Sequence, residues 1–274
     1  IMSIKVSIDA SGGDFGFPVT INAGINALKI YDDLLVNFVG DQTGIEKELN
    51  KNSLYSKFTN RIVITHASEV INMDDSPSVA LRHKKDSSMR VAINLVKNGE
   101  ADACVSAGNT GALMSIARFV LKTISGVDRP AIMSAVPTLN GPTHVLDLGA
   151  NIDSKPSTLL QFAIMGSIAV QNTENIDRPS VGLLNVGTEE LKGNDKSQET
   201  SELLKNSSLN YIGFVEGDDI YKGNVDVIVC DGFEGNIALK ASEGVAKMFS
   251  FFIKKSFTKN IFTKLVAIIA KPVM

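Results

Sequence analysis

The sequence has 274 residues, of which 44% are apolar and 21% charged, and this balance is typical of a globular protein of one large or two small domains. No apolar run approaches the roughly 18 residues of a membrane span, and no secretory signal is recognised. Cys104 and Cys230 each end an apolar run, so they are predicted to be strand residues rather than a disulfide framework. These features predict a cytoplasmic location.

Nine apolar, β-branched runs predict strands, in chain order 4–9, 34–40, 61–67, 101–108, 131–137, 143–149, 180–186, 209–215 and 225–231. Helical stretches are predicted between most of them, at 18–31, 77–98, 111–123, 154–172, 194–206 and 235–256. Most strands are apolar on both faces, as in a parallel sheet covered by helices. We therefore predict an α/β fold, a three-layer α/β/α sandwich with a mostly parallel sheet.

Three local patterns refine this prediction. Ser76 before Pro77 indicates one helix start, and Asp153 with Ser154 before Pro156 indicates another. The strands at 131–137 and 143–149 are joined only by "TLNGP", which predicts a hairpin-like excursion at a subunit interface. The domain organisation predicted from the chain is a single catalytic domain over 1–256, followed by a basic amphipathic segment over 257–274.

The basic segment stands out because the formal net charge of −3 is unevenly distributed: six lysines and no acid follow Glu243. In one continuous helix, the apolar faces of 238–258 and 260–271 would point in nearly opposite directions. Either the helix breaks near Lys259 or its end projects from the core. The alternatives are a dimer-packing helix, a helix on anionic lipid, which we favour, or a docking surface for an acidic protein. The residues predicted to make the membrane or protein contact are Lys254, Lys255, Lys259, Ile261, Lys264, Leu265 and Ile268.

Five predicted strands are each followed by a loop that contains glycine together with Asn or Asp. Ligands of open parallel sheets bind beyond the carboxyl ends of the strands, where glycines let backbone N–H groups approach and helix N-termini favour anions. One such loop is ordinary turn chemistry, but five at one sheet edge indicate an extended cleft for an anionic ligand. The candidate binding residues are Asp9, Gly12, Gly13, Asp14, Ser106, Gly108, Thr110, Asn151, Asn185, Asn194, Asp231 and Asn236.

Several familiar chemistries are excluded by the sequence. It contains no phosphate-binding P-loop, no G-x-G-x-x-G fingerprint and no G-x-S-x-G nucleophile elbow. The three histidines lack metal-ligand spacing, and no H-x-x-x-x-D motif of histidine-dependent acyltransferases is present. The region 73–92 interrupts its apolar pattern at "KKDSS", which favours a site facing the cleft and makes Lys85 a candidate. We expect no metal and no cofactor.

The loop sequences resemble one known family. "DASGGD" (9–14), "DACVSAGNTGAL" (102–113), "LDLGAN" (146–151), "VGLLNVGTEELKGN" (181–194) and "CDGFEGNIALK" (230–240) are similar to the bacterial phosphate acyltransferases of phospholipid synthesis, the PlsX-type acyl-ACP:phosphate acyltransferases. Ser11 departs from the methionine common at that position. Family members also commonly continue beyond the "AKP" at 270–272 with a further glycine-rich segment.

The resemblance implies a fold similar to isocitrate and isopropylmalate dehydrogenases and phosphotransacetylase. It also implies a homodimer that associates peripherally with the membrane and converts acyl-ACP and inorganic phosphate to acyl phosphate, with no nucleic-acid partner. Phosphate is already an anion near neutral pH, and a thiol with a pKa of about 8.5 leaves readily, so a covalent enzyme nucleophile is not required. Catalysis then requires that the two reactants are positioned and that neutral hydrogen-bond donors stabilise the tetrahedral oxyanion. The residues predicted to be catalytic are Asn109, Lys192 and Lys85.

Two readings from other classes stay open on the sequence alone. One is a metal-dependent dehydrogenase-like enzyme on the same fold, which would need clustered acids and arginines. The other is an inert lipid-binding or scaffold protein, which would not need five polar glycine loops.

Overall fold

The structure, a computed structural model, describes residues 3–270, and these divide into two compact units. Unit 1 ends at Pro130 and unit 2 begins at Ala131. The strands form two sheets, one in each unit, so the five polar loops follow strands of two different sheets. The expectation of a single sheet edge is therefore wrong, and the single catalytic domain over 1–256 stays a prediction.

Unit 1 is a parallel sheet of four strands in the order β3-β2-β1-β4. Its strands are β1 (Ile4–Asp9), β2 (Leu34–Gly40), β3 (Ile62–His66) and β4 (Ala103–Ser106). Its helices are α1 (Phe17–Ile30), α2 (Gln42–Lys51), α3 (Tyr55–Phe58), α4 (Pro77–His83), α5 (Ser88–Lys97) and α6 (Thr110–Val120), with a 3-10 turn at Thr59–Arg61.

Helices cover both faces of this sheet. The Ser7 hydroxyl donates to the Ala92 carbonyl of α5, whereas the next side chain of β1, Ile8, packs against Gly24 of α1. Neighbouring side chains of a strand point to opposite faces, so α1 and α5 lie on opposite sides. The three-layer prediction is confirmed in this unit.

Unit 2 has a five-stranded sheet in the order β5-β6-β9-β7-β8. Its strands are β5 (Met133–Thr138), β6 (Gly141–Leu146), β7 (Ser180–Leu184), β8 (Asn210–Val215) and β9 (Val227–Val229). Its helices are α7 (Pro156–Thr173), α8 (Asp195–Lys205), α9 (Gly232–Phe257) and α10 (Ile261–Ala270), with a 3-10 turn at Asp219–Tyr221.

Among the strand pairs of unit 2 that the structure describes, β5 and β6 alone are antiparallel, which confirms the predicted hairpin, and the other pairs are parallel. Leu146 and Val227 face Gly166 of α7, whereas Val145 and Ile228 pack in a second core cluster against α9. The second unit is therefore layered like the first, and the mostly parallel α/β fold is confirmed.

Two predicted helix boundaries are wrong for identifiable reasons. The helix predicted over 77–98 is two helices, because Lys84 leaves the helical conformation and Ser87 caps a new helix by accepting from the Arg90 N–H at 3.3 Å. The helix predicted to start at Asp153 and Ser154 starts at Pro156 instead. Asp153 has a left-handed φ of 58°, and the Ser154 N–H donates to the Asp231 carboxylate.

Of the two alternatives left open for the carboxy-terminal segment, the structure shows the break. α9 ends at Phe257 and α10 begins at Ile261, so the chain leaves the helix around Lys259. The apolar side chains of α10 are largely exposed, with Ile261 75% and Ile268 70% accessible. Lys271 lies outside the described residues. Among residues 3–270, no helix combines the length and hydropathy needed to cross a membrane.

Candidate functional site

In unit 1, the buried carboxylate of Asp9 joins the ends of two parallel strands to a helix. It accepts hydrogen bonds from the hydroxyls of Ser88 at 2.5 Å and Ser106 at 2.6 Å. Ser106 in turn accepts the Gly108 N–H at 3.0 Å. Both oxygens of Asp9 thus have protein donors, so the carboxylate shapes the loops after β1 and β4.

Two glycines allow these loops to approach closely. A Cβ on Gly12 would lie 2.5 Å from an Asp9 carboxylate oxygen and 3.1 Å from the Gly108 nitrogen. Gly13 has a φ of 85°, and its Cβ would lie 3.0 Å from the Ala107 carbonyl oxygen. Side chains at either position would force the loops apart. The predicted residues Asp9, Gly12, Gly13, Ser106 and Gly108 are therefore brought together.

Asn109 caps α6 and anchors a second loop. Its Oδ1 accepts the Ala112 N–H at 2.9 Å, and its Nδ2 donates to the carbonyls of Met73 and Asp75, each at 2.9 Å. Both amide hydrogens are thus donated to the protein itself. The donors that α6 offers to a ligand are the backbone N–H groups of its first turn, beginning at the exposed Thr110.

Two other candidates of unit 1 have side chains that face solvent. Asp14 and Lys85 are exposed. Lys84, next to Lys85, is the lysine with protein partners: it donates to the Val70 carbonyl at 2.7 Å and pairs with Asp75. That ion pair is the largest cause of a lowered pKa for Asp75.

In unit 2, the fully buried carboxylate of Asp147 organises the loop after β6. One oxygen accepts the Ile132 N–H at 2.9 Å and the Ala150 N–H at 3.1 Å, and the other accepts both the backbone and side-chain N–H of Asn151, at 2.6 and 3.0 Å. The Asn151 amide is therefore directed at the protein. Sequence reasoning missed Asp147 as a site residue, although "LDLGAN" contains it.

Asp231 connects three segments at the carboxyl end of this sheet. It caps α9 by accepting the Phe233 N–H at 2.9 Å, and it accepts the Ser154 N–H at 2.6 Å. The Lys196 ammonium of α8 lies 3.3 Å from Asp231 and 3.2 Å from Asp153. Lys196 was not predicted as a site residue. The only signal for it in the sequence was its position two residues after the capping Asn194, in the first turn of α8.

A cavity of about 280 Å³ lies at this point of unit 2. The polar residues that line it include Asn185, Asn194, Lys196 and Asp231. Asn185 holds the following loop by donating to the carbonyls of Gly187 and Lys192, each at 3.1 Å. Asn194 caps α8 by accepting the Ser197 N–H at 2.9 Å. Asn185, Asn194 and Asp231, three of the binding residues predicted from the sequence, therefore line one cavity.

Lys192 and Asn236 lie nearby in different settings. Lys192 is exposed at the end of the loop held by Asn185, and it makes no ion pair within residues 3–270, whereas Lys196 makes two. Asn236 is exposed on α9, where its side chain packs beside Gly149. Among residues 3–270, no group of three or more His, Cys, Asp or Glu side chains is placed to hold a metal ion.

The pH dependence of stability follows from Asp231. Burial alone would raise its pKa, but the N–H groups of Phe233 and Ser154 and the charge of Lys196 outweigh burial and lower it below the usual 3.8. A lowered folded-state pKa contributes stability above pH 3.8 that disappears as the pH falls through the folded-state value.

We expect Asp231→Asn to lose about 2 kcal/mol of unfolding free energy at neutral pH. The difference in unfolding free energy between the variant and the wild type should disappear below pH 3.8. Urea unfolding of both proteins over a pH series measures this, and a gap that stayed constant through the acidic range would contradict the ionised role of Asp231.

Both cysteines pack in core clusters, where burial favours the protonated thiol. Burial, with a smaller contribution from Asp9, raises the pKa of Cys104 to about 11. Burial also raises the pKa of Cys230, whose thiol contacts the Asp147 carbonyl oxygen at 3.4 Å. We expect iodoacetamide to alkylate Cys104 about 100-fold more slowly in the folded protein than in urea at pH 8. Rapid labelling of folded protein, or an acyl group trapped on either thiol, would contradict this reading.

Comparison with solved structures defines the class of fold. The chain is similar to the EutD phosphotransacetylase from Staphylococcus aureus, with 20% identity, a TM-score of 0.62, and coverage of 89% of this chain and 83% of that one. A branched-chain phosphotransacylase from Enterococcus faecalis V583 is similar at 17% identity and a TM-score of 0.55, over 87% and 83% of the two chains. The fold is thus the α/β fold of phosphotransacetylases.

Sequence comparison gives the particular family: residues 4–274 match the family model described as "Fatty acid synthesis protein", and the chain belongs to that family. Over its whole length it is 65% identical to a phosphate acyltransferase from Ruthia magnifica, covering 80% of that relative. It is 54% identical to phosphate acyltransferases from Hydrogenovibrio crunogenus and Legionella pneumophila (strain Paris), over 100% and 99% of this chain and 80% and 79% of theirs.

These relatives confirm the resemblance noted in the sequence. The chain is an acyltransferase of the fatty acid synthesis family. The two readings left open on the sequence alone, a metal-dependent dehydrogenase and an inert scaffold, are wrong.

Proposed function

We propose that the chain transfers a fatty acyl group from acyl-ACP to inorganic phosphate, giving acyl phosphate for phospholipid synthesis. The observation that carries the proposal is the 54–65% identity, across the whole chain, to proteins named phosphate acyltransferase. A phosphate oxygen attacks the thioester carbonyl carbon, the new C–O bond forms, and the C–S bond breaks. The ACP thiolate leaves and takes up a proton.

The phosphate site we propose is the unit 2 cavity at the start of α8. The first backbone N–H groups of α8 have no partners within the helix, and such groups favour an anion. Lys192 supplies a positive charge from the adjoining loop, and the Asn194 amide supplies a neutral donor. Asp231 already neutralises much of the charge on Lys196, so Lys196 orders the cavity while Lys192 contacts phosphate.

The remaining candidate residues either hold loops or contact substrate in this proposal. Asn109 and Asn151 donate their amide hydrogens to protein acceptors, so they hold the loops after β4 and β6 rather than touching the oxyanion. Backbone N–H groups of "SAGNTG", at the start of α6, donate hydrogen bonds to the acyl-ACP substrate. Lys85 and Asp14 are exposed and are proposed to contact substrate.

The test is an incubation with acyl-ACP with and without phosphate. We expect free ACP thiol to appear only when phosphate is present, together with a hydroxylamine-reactive, acid-labile acyl product. Thiol release that did not depend on phosphate would indicate a thioesterase. No release in either sample would remove acyl-ACP as the donor.

We also propose that the chain is a homodimer that associates peripherally with anionic membranes. On α9, exposed apolar residues such as Phe249 and Phe252 offer surface for a second copy. On α10, the exposed face formed by Ile261, Leu265 and Ile268 is flanked by lysines. A single basic amphipathic helix binds lipid weakly and reversibly.

Replacing Ile261, Leu265 and Ile268 together with Asp is expected to release the protein from anionic vesicles while soluble activity is retained, because the change removes the apolar face and adds negative charge. Vesicle sedimentation measures the effect. The matched control replaces Ile30, Val63 and Ile124 with Asp, since these apolar residues lie elsewhere and are exposed to a similar extent. If the α10 variant still sediments, α10 is not the anchor. If it becomes monomeric, α10 packs in the dimer. If only its activity with acyl-ACP falls, α10 docks the carrier.

A further inference from the structure

The segment 67–76, which joins β3 to α4, rests against α6 without a helix or strand of its own. Glu69 makes an isolated bridge with Ser87. Ile71 is 5% exposed and packs in the same core cluster as Ala112 of α6. Beyond these anchors, the position of the segment depends on hydrogen bonds from the helices around it.

Lys84 closes part of this segment into a turn. It follows the last helical residue of α4, and its φ of −102° and ψ of 65° take it out of the helix. Its Nζ donates to the Val70 carbonyl at 2.7 Å and pairs with the Asp75 carboxylate, which also accepts the Asn72 N–H at 2.7 Å. The side chains of Lys84 and Asp75 are only 22% and 18% exposed, so solvent screens this pair less than a surface pair. Lys84 therefore holds the turn at 70–75 at both of its ends.

Asn109 binds the turn that Lys84 closes. Its Nδ2 donates to the carbonyls of Met73 and Asp75, and both carbonyls lie within this turn. Its Oδ1 accepts the Ala112 N–H at 2.9 Å and so caps α6. Contacts thus continue from Lys84 through the turn to Asn109 and the start of α6, all within unit 1.

We infer that Lys84 is a positioning residue for acyl transfer. By closing the 70–75 turn it fixes Asn109, and Asn109 fixes the first turn of α6. The inference rests on the proposed function, in which backbone N–H groups at the start of α6 donate to the acyl-ACP substrate. Such donors stabilise a transition state only when they are preorganised, and a misplacement of about 1 Å costs about 100-fold in rate. Lys84 acts through the turn, which distinguishes it from the exposed Lys85.

Arg61 provides a matched control at the opposite edge of the same sheet. It directly precedes β3, so it lies at the amino end of the parallel strands, whereas α6 begins beyond the carboxyl end of β4. Its guanidinium holds a backbone segment as Lys84 does, donating to the carbonyls of Leu28 at 2.7 Å and Tyr31 at 2.8 Å. Arg61→Met should therefore destabilise unit 1 without moving α6.

The experiment compares Lys84→Met, Lys84→Arg and Arg61→Met with the wild type. Amide hydrogen exchange at Ala112, whose N–H is capped by Asn109, reports local opening of α6. We expect exchange there to be about 10-fold faster in Lys84→Met and within about 2-fold of the wild type in the other two variants. Turnover of acyl-ACP at saturating phosphate should fall about 10-fold in Lys84→Met, with its KM changed less than about 2-fold. Lys84→Arg should restore turnover to within about 3-fold, since it keeps the charge and the donors.

Asp75→Asn tests the same contact from its other partner, and it replaces Lys84→Met in both measurements should that variant not fold. If Lys84 acts by holding Asp75, the double variant should turn over within about 2-fold of Lys84→Met alone. Two losses that multiply to about 100-fold would show that Lys84 acts independently of the turn.

Three further results would overturn the inference. These are unchanged exchange at Ala112 in folded Lys84→Met, faster exchange there with normal turnover, or an equal loss of turnover in Arg61→Met. A wild type that releases no ACP thiol, together with faster exchange in Lys84→Met, would support the hold of Lys84 on α6 and refute the proposed function.

Discussion

Replacing Lys192 with Ala is expected to lower turnover about 100-fold, the usual effect of removing one preorganised donor that stabilises transition-state charge. Lys192 is exposed at the end of the 185–194 loop, beside a cavity where α8 begins. It makes no ion pair within residues 3–270 that would already neutralise it. Asn185 fixes the backbone of this loop by donating to the Lys192 carbonyl, so the side chain is presented from an ordered point.

The matched controls separate this role from surface charge. Lys205→Ala removes a lysine from the far end of α8, where it pairs with Glu190 and Glu202, and should change turnover less than 2-fold. Lys192→Arg keeps the charge and should recover part of the activity. Steady-state kinetics with phosphate as the varied substrate measure all three variants. Near-normal turnover in folded Lys192→Ala would remove this residue from the mechanism.

Replacing Gly235 with Ala is expected to destabilise unit 2 by about 3 kcal/mol, although alanine is normally the better helix former. A Cβ at this position of α9 would lie 2.0 Å from the Asp147 carbonyl oxygen and 2.8 Å from the Cys230 sulfur. Backbone atoms must then shift, and they belong to the loop whose buried carboxylate accepts four N–H bonds. Urea unfolding measures the loss.

The same helix provides the control. Gly244 lies nine residues further along α9 and has open space where a Cβ would be placed. Gly244→Ala should therefore stabilise the protein by up to about 1 kcal/mol through helix propensity alone. Opposite signs for the two substitutions are the expected result. Equal stabilisation by both would show that α9 does not approach Asp147 as closely as described.

The strands were predictable because their signal is strong and local. All nine apolar runs form strands within residues 3–270, since apolar and β-branched residues favour strands even where, as in β4 and β5, the observed strand is at most partly buried. The helix α2 was not predicted, because only Ile45 and Leu49 of its ten residues are buried and the rest of "QTGIEKELNK" is polar. The division into two sheets was also missed, since strand periodicity does not specify which strands pair.

The candidate site was predicted as a set of loops but not as a set of roles. Asn109 looked like a catalytic amide because it follows a strand, yet its partners, the carbonyls of Met73 and Asp75, are more than thirty residues away in sequence. Lys196 meets Asp231 across 35 positions. Contacts at such separations depend on tertiary packing, which composition and periodicity do not contain.

The central claim is that phosphate is the acyl acceptor, and the most direct measurement is transfer of labelled phosphate. The purified protein is incubated with ³²P-labelled phosphate and a 16-carbon acyl-ACP, and the products are partitioned between water and organic solvent. We predict that label enters the organic phase in a 1:1 ratio to ACP thiol released, and that hydroxylamine returns it to the aqueous phase. Stoichiometric thiol release with the label remaining in the aqueous phase throughout would contradict the account.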